Sequence, residues 1–198
     1  MKKRILLKSV IFLVCLVLPV LGAKWDEDRD KWQQPEKVLD VIGIRPGMKV
    51  GEPGAGRGYY TFRLASRVGP TGKIYANDIV EKDLKHIDKR AKEEGYTNIV
   101  TIKGEVEDPL FPEGELDIVF MSYVLHDLER PVPFLKNLKA SFKPGAPLAI
   151  LEQAPEKTGS WHFWKKEKIL ATVKEAGYRL ERIETFLPRD NIYIFYLE

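Results

Sequence analysis

Apolar positions along this chain come in short blocks whose spacing alternates between helix-like and strand-like periods. Trp32, Val38, Leu39, Val41 and Ile42 line one face of a short amphipathic helix that Gly43 ends, and Arg45, Pro46 and Gly47 form the turn beyond it. A strand is predicted over 48–52, a helix from Gly58 to near Gly69, and a second strand over 73–77. The charged stretch 81–94 reads as a surface helix closed by Gly95, and the β-branched run 98–103 as a third strand. An apolar strand at 116–122, a helix at 132–142 stopped by Lys143, Pro144 and Gly145, and a strand at 147–152 continue the alternation. A last helix at 165–176 ends at Gly177, after which 178–186 and 191–197 read as a hairpin. Strands separated by crossover helices pair in parallel, so the expected fold is α/β. It is a doubly wound, mostly parallel, seven-stranded sheet with a C-terminal antiparallel hairpin.

The first 23 residues stand apart from this pattern. Lys2, Lys3, Arg4 and Lys8 precede an apolar run from Val10 to Leu21, followed by the small residues Gly22 and Ala23, which is the layout of a secretory signal. The run is shorter than the roughly 20 residues a permanent membrane helix requires, so cleavage near Gly22 or Ala23 is expected over anchoring. Val14 before Cys15 lacks the small side chain a lipoprotein signal carries, and lipidation is not expected. Residues 24–198 then form one domain, exported to the periplasm or envelope, touching a membrane only if the N-terminal segment stays attached.

Composition narrows the chemistry. The net charge of +3 resides in that N-terminal segment, which holds four cations and no acid, so the body of the chain is near neutral. A neutral surface offers no footprint for a phosphate backbone, and nucleic acid is not an expected partner. Cys15 is the one cysteine, so residues 24–198 have neither disulfides nor a thiolate nucleophile. No cluster shows metal-ligand spacing, and no metal site is expected.

The sharpest motif is Val50-Gly51-Glu52-Pro53-Gly54-Ala55-Gly56-Arg57-Gly58-Tyr59, between the first strand and its helix. Glycines there let backbone approach a ligand, and the helix start offers unpaired N–H groups. A nicotinamide fingerprint needs glycine at position 59, where this chain has tyrosine. The same glycines also suit a tight turn with no ligand. Asp78 follows the second strand, where a carboxylate accepts from ribose hydroxyls or favours a helix N-terminus. Gly104-Glu105-Val106-Glu107-Asp108 follows the third strand, and Met121-Ser122-Tyr123-Val124-Leu125-His126-Asp127-Leu128 the fourth.

In this order the four segments resemble those of the class I S-adenosylmethionine-dependent methyltransferases, over roughly residues 32–198. The resemblance implies the Rossmann-like methyltransferase fold, S-adenosylmethionine as cofactor and methyl transfer as activity. It further implies that Gly54, Gly56 and Gly58 line the methionine part of the site, with Glu52 behind them and Tyr59 beside them. Asp78 is then the ribose residue, Glu105 belongs to the adenine segment, and Ser122 to the block that passes the sulfonium. His126, next in that block, is the expected base for a hydroxyl acceptor, unless it only packs the following helix. The Ser122-Tyr123 pair lacks the block that enzymes methylating exocyclic base nitrogens carry, which again points away from nucleic acid.

Gln153, Ser160, Trp161, His162, Phe163 and Trp164 after the fifth strand suit a cover over a small-molecule acceptor, or a flap docked on the domain. The expected function is methyl transfer to a small molecule at oxygen. The competing expectation is an exported, non-catalytic binding or structural protein on the same scaffold, because fold alone does not establish activity.

The N-terminal pattern yields a direct test. A reporter fused to the C-terminus is expected to be active only outside the cytoplasm, since Lys2, Lys3 and Arg4 hold the N-terminus inside. Reporter activity inside the cell is the contrary result.

Overall fold

A computed structural model describes residues 28–198, and the N-terminal signal-like segment lies outside the described residues. Among the described residues no helix is long and apolar enough to cross a membrane. The described residues begin with helix at 28–33, called α1, followed by α2 (Pro35–Val41). Then come β1 (Lys49–Pro53), α3 (Thr61–Val68), β2 (Lys73–Asp78), α4 (Glu81–Glu94), β3 (Ile99–Lys103) and β4 (Ile118–Ser122). The second half comprises α5 (Pro131–Leu138), β5 (Leu148–Gln153), α6 (Pro155–Thr158), α7 (Lys166–Glu175), β6 (Tyr178–Glu184) and β7 (Asp190–Leu197).

The strands form one sheet in the order β3-β2-β1-β4-β5-β7-β6. The first five pair in parallel, and β7 inserts antiparallel between β5 and β6. The doubly wound sheet with its C-terminal hairpin is therefore the fold the alternating pattern predicts. The expected helix over 132–142 is shorter: α5 stops at Leu138 and tightens into a 3-10 turn at Lys139–Ser141. The four-residue α6 and a 3-10 turn at Leu125–Asp127 carry too few apolar positions to show a period.

Alternation along β4 explains the two cores. Ile118 and Phe120 face one side of the sheet and meet Val38, Leu39, Phe62, Leu64 and Ile87 from α2, α3 and α4. Val119 and Met121 face the other and meet Phe134, Leu135, Leu138, Ile169 and Val173 from α5 and α7. All four β4 side chains are fully buried, as a parallel strand covered on both faces requires. The strand order reverses between β1 and β4, and the loops that leave these parallel strands border a common crevice.

Candidate active site

The loop leaving β1 turns back through Gly54, whose φ is +65°. A Cβ there would stand 2.3 Å from Val124 Cγ2, so only glycine lets the loops after β1 and β4 meet. Gly58 serves packing: a Cβ would meet Phe62 Cε2 at 2.6 Å and Ile87 Cγ1 at 3.2 Å. The side where a side chain would stand is therefore filled by the core. Gly56 instead has no atom within 4 Å of where a Cβ would stand, and its N–H donates to Asp78 Oδ2 at 2.8 Å.

Asp78 is held at the end of β2 by that bond and by the Val80 N–H on Oδ1 at 2.9 Å. It lines a 420 Å³ cavity with Gly54, Ile79, Val80, Glu105, Val106, Tyr123, Val124, Asp127 and Phe134 among the walls. Ile79, Val80 and Val106 are more exposed than large apolar side chains usually are. A fixed carboxylate framed by such side chains matches a ligand with an apolar flat base and vicinal hydroxyls, so the cavity fits a nucleoside cofactor. Of the sequence-predicted residues, Gly54, Asp78 and Glu105 meet here.

The other predicted residues occupy the surrounding shell. Glu52 is buried beneath the loop, where its Oε2 accepts from the Thr61 hydroxyl at 2.6 Å. Burial pushes its carboxyl from 4.5 to about 8; the Thr61 bond and the Arg29 charge oppose the rise, and the Asp78 charge adds to it. Tyr59 turns toward α1, donating to Asp30 Oδ1 at 2.5 Å, while the Arg29 guanidinium stacks 3.6 Å over its ring. Arg29 also donates to Ser122 Oγ at 3.4 Å, so Tyr59 and Ser122 are joined through the N-terminal helix.

After β4, Tyr123 adopts a left-handed backbone, φ +60°, which a bulky side chain seldom takes. Its hydroxyl donates to Asp190 Oδ1 at 2.5 Å, and Gln33 donates to the other carboxylate oxygen at 3.2 Å. His126 sits in the next turn, with Nδ1 2.7 Å from Oε2 of Glu152, whose side chain is 1% exposed. Burial alone lowers the ring's pKa, but the bond to Glu152 and the charges of Glu152 and Asp127 outweigh it and the net direction is upward. Burial raises Glu152 as well, against the opposing pull of His126. Phe163 covers the imidazole at 4.3 Å and Tyr123 at 5.1 Å, while Trp161 stands 93% exposed. Glu152, Asp190 and Gln33 escaped the sequence reading, since each acts on a partner far away in the chain.

The sheet order and its C-terminal hairpin are those of the class I, Rossmann-like S-adenosylmethionine-dependent methyltransferase fold. More particularly, the chain belongs to the family described as "Methyltransferase domain", whose model matches residues 44–182. It is 30% identical over 149 residues to a ubiquinone/menaquinone biosynthesis C-methyltransferase UbiE of Shewanella sp. strain W3-18-1, covering 71% of this chain and 59% of that protein. It is 36% identical over 86 residues to the nocamycin O-methyltransferase of Saccharothrix syringae, covering 43% of this chain and 31% of the other. The chain thus spans about half the length, or less, of these curated relatives. A crystal structure of an S-adenosylmethionine-dependent methyltransferase from Aquifex aeolicus superposes with a TM-score of 0.80 at 29% identity. It covers 89% of this chain and 97% of its own.

The Glu52 shift gives a pH-dependent stability with a definite sign. The folded state keeps a proton on Glu52 up to about pH 8 that the unfolded chain releases near 4.5, so this contribution is complete at low pH and lost as pH rises through that window. Urea unfolding of Glu52→Gln, which has no carboxylate to bury, is expected to show a shallower decline with pH than wild type. The difference is at most about 1.4 kcal/mol per pH unit. Parallel profiles across the window are the contrary result.

Proposed function

We propose that this chain is an S-adenosylmethionine-dependent methyltransferase that acts on a small-molecule acceptor at oxygen, with His126 taking the acceptor's proton. The observation that carries the reading is the placement of His126 at the end of β4. A buried carboxylate fixes one of its nitrogens, and it adjoins the residues that line the cavity. The bound cofactor supplies an electrophilic methyl group on a sulfonium. Asp78 then holds the ribose hydroxyls by charge-assisted hydrogen bonds, while Ile79, Val80 and Val106 cover the base. Tyr123 and Phe163 offer aromatic surface for a flat acceptor beside His126. His126 Nε2 would take the hydroxyl proton while Glu152 would keep the ring in the tautomer with hydrogen on Nδ1; the freed oxygen would then bond to the methyl carbon as the C–S bond breaks and the cofactor leaves as a neutral thioether.

Transfer to carbon is the second reading, favoured by the likeness to a relative named as a C-methyltransferase. The same base serves both, because a phenolate shares its charge with the ring carbon beside it. Nuclear magnetic resonance of the methylated product separates a methoxy group from a ring methyl. We further propose, on the N-terminal charge pattern, that the domain acts in the cell envelope.

Two variants test the site. Asp78→Ala is expected to weaken S-adenosylmethionine binding by about 1–3 kcal/mol in calorimetry, and unchanged affinity removes Asp78 from the ribose site. His126→Ala is expected to lower turnover by roughly 10²–10⁴-fold with cofactor affinity nearly intact. Wild-type turnover in that variant leaves catalysis to alignment alone. Cofactor binding with no turnover on any hydroxylated or phenolic acceptor supports the non-catalytic alternative instead.

A further inference from the structure

The turn after β4 and the loop between α6 and α7 bring three ligand-type groups together, of which proton transfer requires only His126. One ligand atom each from His126, Asp127 and His162 lies within 4.8 Å of the other two. His126 Nε2 is 3.4 Å, and His162 Nε2 3.7 Å, from the same carboxylate oxygen, Asp127 Oδ1. Ligands around a tetrahedral ion with bonds of about 2.0–2.1 Å stand roughly 3.4 Å apart, so both spacings match the edges of such a site. Behind His126, Glu152 Oε2 stands 2.7 Å from Nδ1. A carboxylate in that place fixes the ring and leaves the Nε2 lone pair directed away from it, the arrangement in which a metal-ligating histidine is held.

We propose that His126, Asp127 and His162 form a divalent transition-metal site of the zinc type, with Glu152 as the residue that positions His126. Two imidazoles and one carboxylate select zinc-like ions over magnesium or calcium, which prefer all-oxygen sets. An ordinary surface ion pair accounts for the geometry less well. It needs a single histidine, whereas here two rings meet edge to face, 4.9 Å apart, over one carboxylate. Phe163, the residue after His162, packs 4.3 Å from the His126 ring and keeps this loop against the turn. Asp127 also lines the 420 Å³ cavity, which places the ion at the edge of the cofactor site. Three protein ligands leave a fourth position open for water or an acceptor group. His162 belongs to a separate loop from His126 and Asp127, which is why ligand spacing in the sequence gives no sign of the site.

The ion takes the Nε2 lone pair that proton transfer needs, so metal-loaded protein cannot use His126 as a base. That consequence rests on the methyltransferase reading, but the binding itself does not. Chelator-treated full chain, titrated with zinc in a calorimeter without S-adenosylmethionine, tests the two separately. One saturable equivalent is expected, with no comparable heat from magnesium. His162 is 55% exposed at the side chain, so His162→Asn leaves the fold intact by circular dichroism and is expected to weaken zinc binding at least about 10-fold. Glu152→Gln retains every ligand and is expected to weaken it by about 10–100-fold. His86, the remaining histidine, lies on α4 beside Arg57, and His86→Asn is expected to bind as wild type does. The proposal is overturned by the absence of a saturable equivalent in wild type, or by equal affinity in wild type and His162→Asn. Absence of methyl transfer in the metal-free protein, with zinc binding intact, would instead strike only the activity reading.

Discussion

The reversal of strand order between β1 and β4 is the constraint from which the site follows. Helices on opposite faces of the sheet diverge at that point, and loops leaving the C-terminal ends of the strands cannot close the gap. Gly54 leaves β1, Asp78 ends β2, Glu105 follows β3, and Tyr123 and His126 follow β4. Residues far apart in sequence therefore share one crevice because each occupies the same end of a parallel strand. Glu152 obeys the same geometry. Ser122 on β4 pairs with Leu151 on β5, so the residue after Leu151 stands beside the turn that carries His126.

What could be read from the sequence divides along this line. The order and direction of the elements are written in local periods and glycine stops. The 81–94 helix has the predicted ends because Gly95 takes the left-handed conformation, φ 78°, at its C-terminus. Residues at strand ends are legible too, because a motif holds its place relative to its own strand. Pairings across the sheet are not. His126 and Glu152 are 26 positions apart, and Tyr123 and Asp190 are 67 apart. No period or spacing connects them until the sheet order is known. Gly58 shows a further limit, since its motif does not reveal that Phe62 and Ile87 leave no room there for a side chain.

Tyr123 concentrates the energetic cost of the site. A bulky residue held at positive φ costs about 1–3 kcal/mol and persists only where its surroundings overdetermine it. Here its amide donates to Leu151 O at 2.9 Å, its hydroxyl is held by Asp190, Trp32 stacks on one side of its ring and Phe163 tilts against it. Asp190 is buried and is itself held by Gln33 from α1. The N-terminal helix and the last strand thus meet over the tip of β4, and the strained residue is fixed by both ends of the domain.

The cofactor and acceptor sides of the site consequently differ in how they are built. Asp78 and the loop glycines are set by strand geometry that any chain with this fold must reproduce. Arg29, Trp32, Tyr123, Phe163 and His162 come from an N-terminal helix and two loops, where substitution leaves the sheet undisturbed. His126 stands on the boundary. Its backbone belongs to the β4 turn and its Nδ1 to buried Glu152, both set by the sheet. Its Nε2 faces Asp127 Oδ1, which His162 of the facing loop approaches as well.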